Sequence, residues 1–173
     1  MDLMDLLKAA GGDSSVGALS QRLNLDSSQT RSMLEAVAPA FKRSLQKEAS
    51  SPDKLASLAK ALERGDHHKY VERPETLADD SAVQDGNAIL GHLFGSKDVS
   101  RNVAANAAER SGIDPSLIKK ALPLVAGLAM GALSKNSEGG KSAFSMLPDL
   151  LGGGGDDDGF GVDDVLNLAR KFF

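Results

Sequence analysis

The chain repeats itself. Laid without a gap over residues 110–135, residues 22–47 fall into register, with Asp26 on Asp114, an offset of 88. Arg22, Ser28, Leu34, Val37, Ala38, Leu45 and Lys47 meet Arg110, Ser116, Leu122, Val125, Ala126, Leu133 and Lys135. Gln21/Glu109, Leu25/Ile113 and Arg31/Lys119 are conservative pairs besides. Self-similarity of this kind points to a duplicated structural unit, and it constrains the fold more than any other feature.

The apolar spacing around the repeat is helical. Leu3, Leu6, Leu7 and Ala10 lead into Gly11-Gly12, and Val16, Leu19 and Leu23 follow at the same period. Asp26 or Ser27 caps a long helix carrying Met33, Leu34, Val37, Phe41 and Leu45, with a kink or break expected near Ala38 because of Pro39. Ser50–Asp53 interrupts, then Leu55, Leu58, Ala59 and Leu62 share one face up to Gly65. In the second copy, Ile89, Leu90, Leu93 and Phe94 form a compact helix closed by Gly95. Pro115 is placed to open the final long helix, where Pro123 calls for another kink. No alternating run predicts a strand.

These periods give an all-α protein of two related units packed as a bundle. Residues 1–65 are the first unit, 66–84 a polar connector with room for a short helix near Pro74–Ala78, and 85–151 the second unit. Residues 152–173 are an acidic glycine-rich linker and a short helix, with Val162, Val165, Leu166, Ala169 and Phe172 on one face. The connector and the acidic linker lack apolar period and are expected to be the mobile parts.

Composition closes off several functions. Aromatics are 4% of the chain and there is no cysteine, so small aliphatic residues carry the packing and disulfide chemistry is excluded. The acidic start Met1-Asp2-Leu3-Met4-Asp5 does not look like a secretory signal, and a cytoplasmic location is expected. Ala121–Ser134 is uncharged, but fourteen helical residues reach only about 21 Å, short of a bilayer core of roughly 30 Å. A core helix is expected there, not a membrane span. Within it Gly127 and Gly131 are a small-xxx-small pair, candidates for close helix packing or a partner interface.

No catalytic constellation, metal cluster or cofactor loop emerges. Gly139-Gly140-Lys141-Ser142 resembles the end of a phosphate loop, but Lys135 stands where its first glycine belongs and no strand precedes it. Asp156-Asp157-Asp158-Gly159 resembles part of a calcium loop, but its twelfth position is Val165. His67 and His68 are expected to be exposed in the connector, and His92 to make a buried polar contact. Three histidines without cysteine do not make a zinc site.

Ala108, Gly112 and Ile118 have helix-turn-helix spacing: a small residue, a turn glycine and a β-branched corner residue. Ser20, Asn24 and Thr30 hold these positions in the first copy. For DNA the contacts would come from Arg110, Ser116, Lys119 and Lys120, a poor donor set on a chain of net charge −4. A tight helical corner is the favoured reading and DNA binding the alternative. The function expected is a non-enzymatic interaction or scaffold module, acting on an unidentified protein partner or by self-association, with no cofactor.

The string Ile89-Leu90-Gly91-His92-Leu93-Phe94-Gly95, with Arg101, Ala104, Gly112, Lys120, Leu122-Pro123 and Gly131-Ala132-Leu133, resembles a bacterial family. It is the domain-of-unknown-function family that includes the YidB-like proteins. The resemblance implies a homeodomain-like helical fold and a bacterial source. Gly91, His92, Phe94 and Gly95 carry over as a motif without an assigned role. Shape alone does not confer DNA binding.

Overall fold

Two residues in the left-handed region turn the chain at equivalent places. Asn24 has φ 54° and Gly112 φ 72°, and the 88-residue offset superposes them. Glycine adopts this conformation without a Cβ penalty, and asparagine is among the few other residues that tolerate it. In the computed structural model, which describes residues 12–64 and 66–137, each turn joins a shorter helix to a long one. Asn24 lies between α1 (Gly12–Leu23) and α2 (Ser27–Ala49), and Gly112 between α6 (Lys97–Ser111) and α7 (Pro115–Ser137). Between the corners come α3 (Pro52–Arg64), α4 (Lys69–Glu72), a 3-10 turn (Pro74–Ala78) and α5 (Asp80–Phe94). The protein is all-α, with no strand among the described residues.

Local chemistry explains why the long helices start at equivalent residues. Asp26 and Gln29 form a capping box, the Asp26 carboxylate accepting the Gln29 amide at 2.8 Å and the Gln29 side chain accepting the Asp26 amide at 3.1 Å. In the second copy the Asp114 carboxylate accepts the Ser116 amide at 2.7 Å, and Pro115 supplies a first helical residue whose missing N–H costs nothing there. Inside the corners the two copies differ. Ser20 and Thr30 are buried with their hydroxyls 2.8 Å apart; Ser20 also donates to the Val16 carbonyl and Thr30 to that of Asp26. Two hydroxyl protons thus serve three contacts. The second corner uses Ala108 and the buried Ile118 instead.

The core is built around α7. Every residue from Ala121 to Leu133 is buried, so the helix has no wet face. By length and apolarity Pro115–Ser134 would span a bilayer, but 78% of its most apolar window is covered by the body of the protein, as in a core helix. α5 and α6 pack along it, and α1, α3 and α4 complete its surround. The units interlock reciprocally: α2 lies on α6, and its counterpart α7 meets α1. Phe41 of α2 meets Phe94 of α5 with ring centres 5.4 Å apart, joining the two copies.

Three expectations are corrected. Residues 66–84 hold the short helix expected near Pro74–Ala78, as a 3-10 turn, but are not a solvated connector: Tyr70, Val71, Leu77 and Ala82 are buried in the core. The segment is made of a four-residue helix, a 3-10 turn and the start of α5, pieces too short to show an apolar period. The boundary drawn at residue 85 accordingly falls inside α5. Of the kink or break expected near Ala38, the break does not occur, since α2 runs continuously through Pro39, as α7 does through Pro123. Burial along these helices offsets the one backbone hydrogen bond that each proline removes. The acidic linker and C-terminal helix expected at 152–173, and Gly139–Ser142, lie outside the described residues.

Close backbone approach sets the sharpest packing constraint. A Cβ on Gly86 would run into the Pro123 carbonyl, and one on Gly131 into the carbonyl of His67, with the Val71 side chain at 3.2 Å. At Gly127 a Cβ would only touch the Tyr70 ring at 3.4 Å. Gly86→Ala and Gly131→Ala should each cost about 1–3 kcal/mol or more, since backbone cannot yield. Gly127→Ala should be neutral or gain up to about 1 kcal/mol of helix propensity. Thermal melts followed by circular dichroism check the order. In the first corner, Ser20→Ala should cost about 1 kcal/mol, while Ser20→Ala with Thr30→Ile should recover most of it, because both polar partners then leave together.

Candidate functional site

The C-terminal end of α5 is cut off sharply. Gly95, at φ 73°, ends the helix with its amide on the Gly91 carbonyl at 3.1 Å, and Ser96 then caps α6 by accepting the Val99 amide at 3.3 Å. This turn leaves an open cleft of about 610 Å³ between α5, α6 and the first turns of α7. Leu90, Leu122 and Pro123 lie at its floor, and Gly91 and Gly95 keep the α5 wall low. Lys97 and Arg101, one helical turn apart on α6, face Lys119 of α7 across it. Arg101 reaches back to Asp98 at 3.1 Å, both exposed. No ion pair to Lys97 or Lys119 occurs among the described residues.

The duplicated corner makes this charge arrangement informative. Under the repeat, Arg101 is equivalent to Asp13 and Lys119 to Arg31. In the first copy Asp13 and Arg31 form an ion pair at 2.9 Å. In the second the same two positions carry like charges on one cleft. Where one copy has an exposed ion pair, the other has two cations, of which Arg101 pairs with Asp98 and Lys119 has no ion-pair partner among the described residues.

The candidates from sequence scatter. Of the family motif, Gly91 and Gly95 line the cleft, whereas Phe94 is buried against Phe41. His92 is exposed and outside the cleft, which corrects the expected buried contact. Arg110, Ser116, Lys119 and Lys120 are all exposed. Arg110 is nine residues from Arg101 on α6, about half a turn around the helix from the cleft. The Ser116 hydroxyl is engaged by Asp114, whose carboxyl is held below its usual range by the Ser116 hydroxyl and amide. Beyond Lys120 the long helix is buried, so only its first turn and a half could face a groove. Gly127 and Gly131 face Tyr70 and His67 in the interior.

Lys97 and Arg101 were missed as site residues. Arg31 and Lys119 align visibly in the sequence, but the matched stretch begins at Arg22, so the Asp13/Arg101 exchange lies outside it. A second missed cluster sits beneath α7. The fully buried Tyr70 donates its phenol proton to the Asp85 carboxylate. Lys69 Nζ lies 3.6 Å from the same carboxylate and 5.0 Å from the Tyr70 ring centre. Burial, reinforced by the Asp85 contact, pushes the Tyr70 phenol well above its usual value. His67, expected to be exposed, is buried with Nδ1 unpartnered. It is buried because its carbonyl lies against Gly131, which seats the whole residue under α7. His68 is half-exposed and pairs with Asp66 at 3.0 Å. The described residues contain no cluster of three or more His, Cys, Asp or Glu fit to hold a metal ion.

A family model described as "Bacterial protein of unknown function (DUF937)" matches residues 5–136. No curated protein and no solved structure matches the chain.

Burial of His67 gives the protein a pH dependence of known sign. Desolvation holds its imidazole below 6.5, outweighing the Asp85 carboxylate that would raise it. The unfolded chain therefore takes up the proton first as pH falls. The stability contributed by neutral His67 is complete above 6.5 and is lost as pH drops through the lower folded value. Melting temperature should fall on acidification from neutrality, and His67→Gln should flatten that fall. An identical slope in the variant would exclude His67 as its source.

Proposed function

We propose that this chain, which belongs to the bacterial DUF937 family, is a non-enzymatic cytoplasmic interaction module whose cleft takes an acidic segment of a partner protein. The Ile89–Gly95 string favours placing it with the YidB-like members. The charge exchange between the corners carries the functional reading: where the first copy pairs Asp13 with Arg31, the second presents Arg101 and Lys119, with Lys97, on one cleft. Cations so arranged want an anion from outside. The apolar floor favours a peptide that combines carboxylates with an apolar side chain. Among the described residues no carboxylate or histidine lines the cleft, so they offer it no general base of the usual kind, and this supports a binding role over catalysis.

Duplex DNA fits less well. A concave site with three cations neutralises few phosphates, so counterion release contributes little. Arg110 faces another way, and the corner offers one exposed turn and a half in place of a recognition helix.

Arg101→Glu with Lys119→Glu tests the proposal. Both positions are exposed, so the fold should survive. Affinity purification from the source cell with mass spectrometry should show partner proteins held by the unmodified chain and retained about tenfold less by the variant. Each exposed ion pair is worth ~0.2–1 kcal/mol, and reversal adds repulsion. Equal retention would refute the cleft as the interface. Tight duplex binding lost in the same variant would replace the reading with nucleic-acid recognition.

A further inference from the structure

We infer that the cleft has an occupant within its own chain: the acidic run Asp156-Asp157-Asp158 together with Phe160 docks there and competes with the partner. The inference rests on the functional reading just given, because it concerns the same cleft.

Complementarity is the first argument. Lys97, Arg101 and Lys119 present positive charge around an apolar floor. The chain outside the described residues carries one run of three consecutive carboxylates, followed two residues later by an aromatic ring. The acidic run matches the cationic rim, and Phe160 is the first large apolar side chain after it, suited to the floor of Leu90, Leu122 and Pro123. Asp163 and Asp164 extend the negative stretch, while Arg170 and Lys171 lie far enough along to stay outside the cleft.

Reach is the second argument. From Lys119 to Ser137, α7 climbs about 27 Å at ~1.5 Å per residue. The eighteen residues 138–155 could extend to about 60 Å at ~3.3 Å each. They can therefore return the acidic run to the start of the helix that they leave.

Tethering is the third argument, and it decides between occupants. A few exposed ion pairs bind weakly, so an isolated acidic peptide at cellular concentration would leave the cleft largely empty, and a partner protein must add contacts outside the cleft to its acidic segment. The same contacts made through a short linker work against an effective concentration on the order of millimolar. Weak complementarity is enough for an internal segment. A partner must then displace it, so the tail raises the threshold for binding.

The absence of cysteine allows a clean test. A nitroxide attached to the full chain through Gly154→Cys should extinguish the amide signals of Gly91, Ser96 and Ser100. That effect should be independent of protein concentration. It should disappear with Arg101→Glu and Lys119→Glu, and weaken in 1 M salt, where the screening length falls to ~3 Å. Without a label, Asp156→Asn with Asp157→Asn and Asp158→Asn should shift the same amides, and in the affinity purification should strengthen partner capture. Attenuation that fades on dilution would overturn the inference, placing the tail of a second copy in the cleft. No attenuation and unshifted amides would also overturn it. If Arg101→Glu with Lys119→Glu still loses the partner in that case, the interaction reading stands without the tail. If that variant loses nothing, both fall.

Discussion

A helix with no wet face governs this structure. From Ala121 to Leu133 every residue of α7 is buried, so the rest of the chain must supply a complete surround. Leu124, Leu128 and Met130 are fully enclosed, and no two-helix layer could cover them on all sides. The surround must also come close. Gly86 and Gly131 have no Cβ because a backbone carbonyl occupies that space. Each glycine carries an intrinsic cost of roughly 1 kcal/mol in a helix, and close-packed contact offsets it.

The same demand explains the segment between the repeats. Something must fill the side of α7 that the two corners leave open, and residues 67–72 do so with Tyr70 and Val71, while Leu77 is buried where the 3-10 turn packs on α1 and α5. Burying Tyr70 means burying a hydroxyl, which is tolerable only if it is hydrogen-bonded. Asp85 accepts that proton, and Lys69 balances the carboxylate. His67 is drawn in with the backbone and is left with one unsatisfied nitrogen. The cluster is best understood as the fastening of a short segment to the core. Its perturbed titrations follow from burial, and perturbed titration by itself does not establish catalysis.

Duplication also supplied a reference for the cleft. The two corners share a left-handed turn residue and a capped long helix, so their differences stand out. Ser20 and Thr30 give way to Ala108 and Ile118 inside, and both corners keep a left-handed turn residue. Outside, Asp13 and Arg31 give way to Arg101 and Lys119, and two positions that pair with each other in one copy carry like charges in the other, with Arg101 turned to Asp98 instead.

The all-α class, the repeat, the turn positions and the burial of α7 were legible in the residues, because helical period and left-handed turn residues are local properties. Asn24 and Gly112 declare their role within a few positions of themselves. The packing of Tyr70 and His67 was not legible, because elements of four or five residues are too short to display a period. Gly86 looked like the start of a unit until the fold brought Pro123 against it. His92 sits in an apolar string, yet only the packing of α5 decides that it faces outward. The cleft is tertiary in the same sense. Lys97, Arg101 and Lys119 come from two helices, and their shared face is set by the angle at Gly112 and the stop at Gly95. Sequence determined which segments are helical and where the chain turns. Tertiary structure alone decided which charges meet, because electrostatic neighbours depend on distance in space and not on separation along the chain.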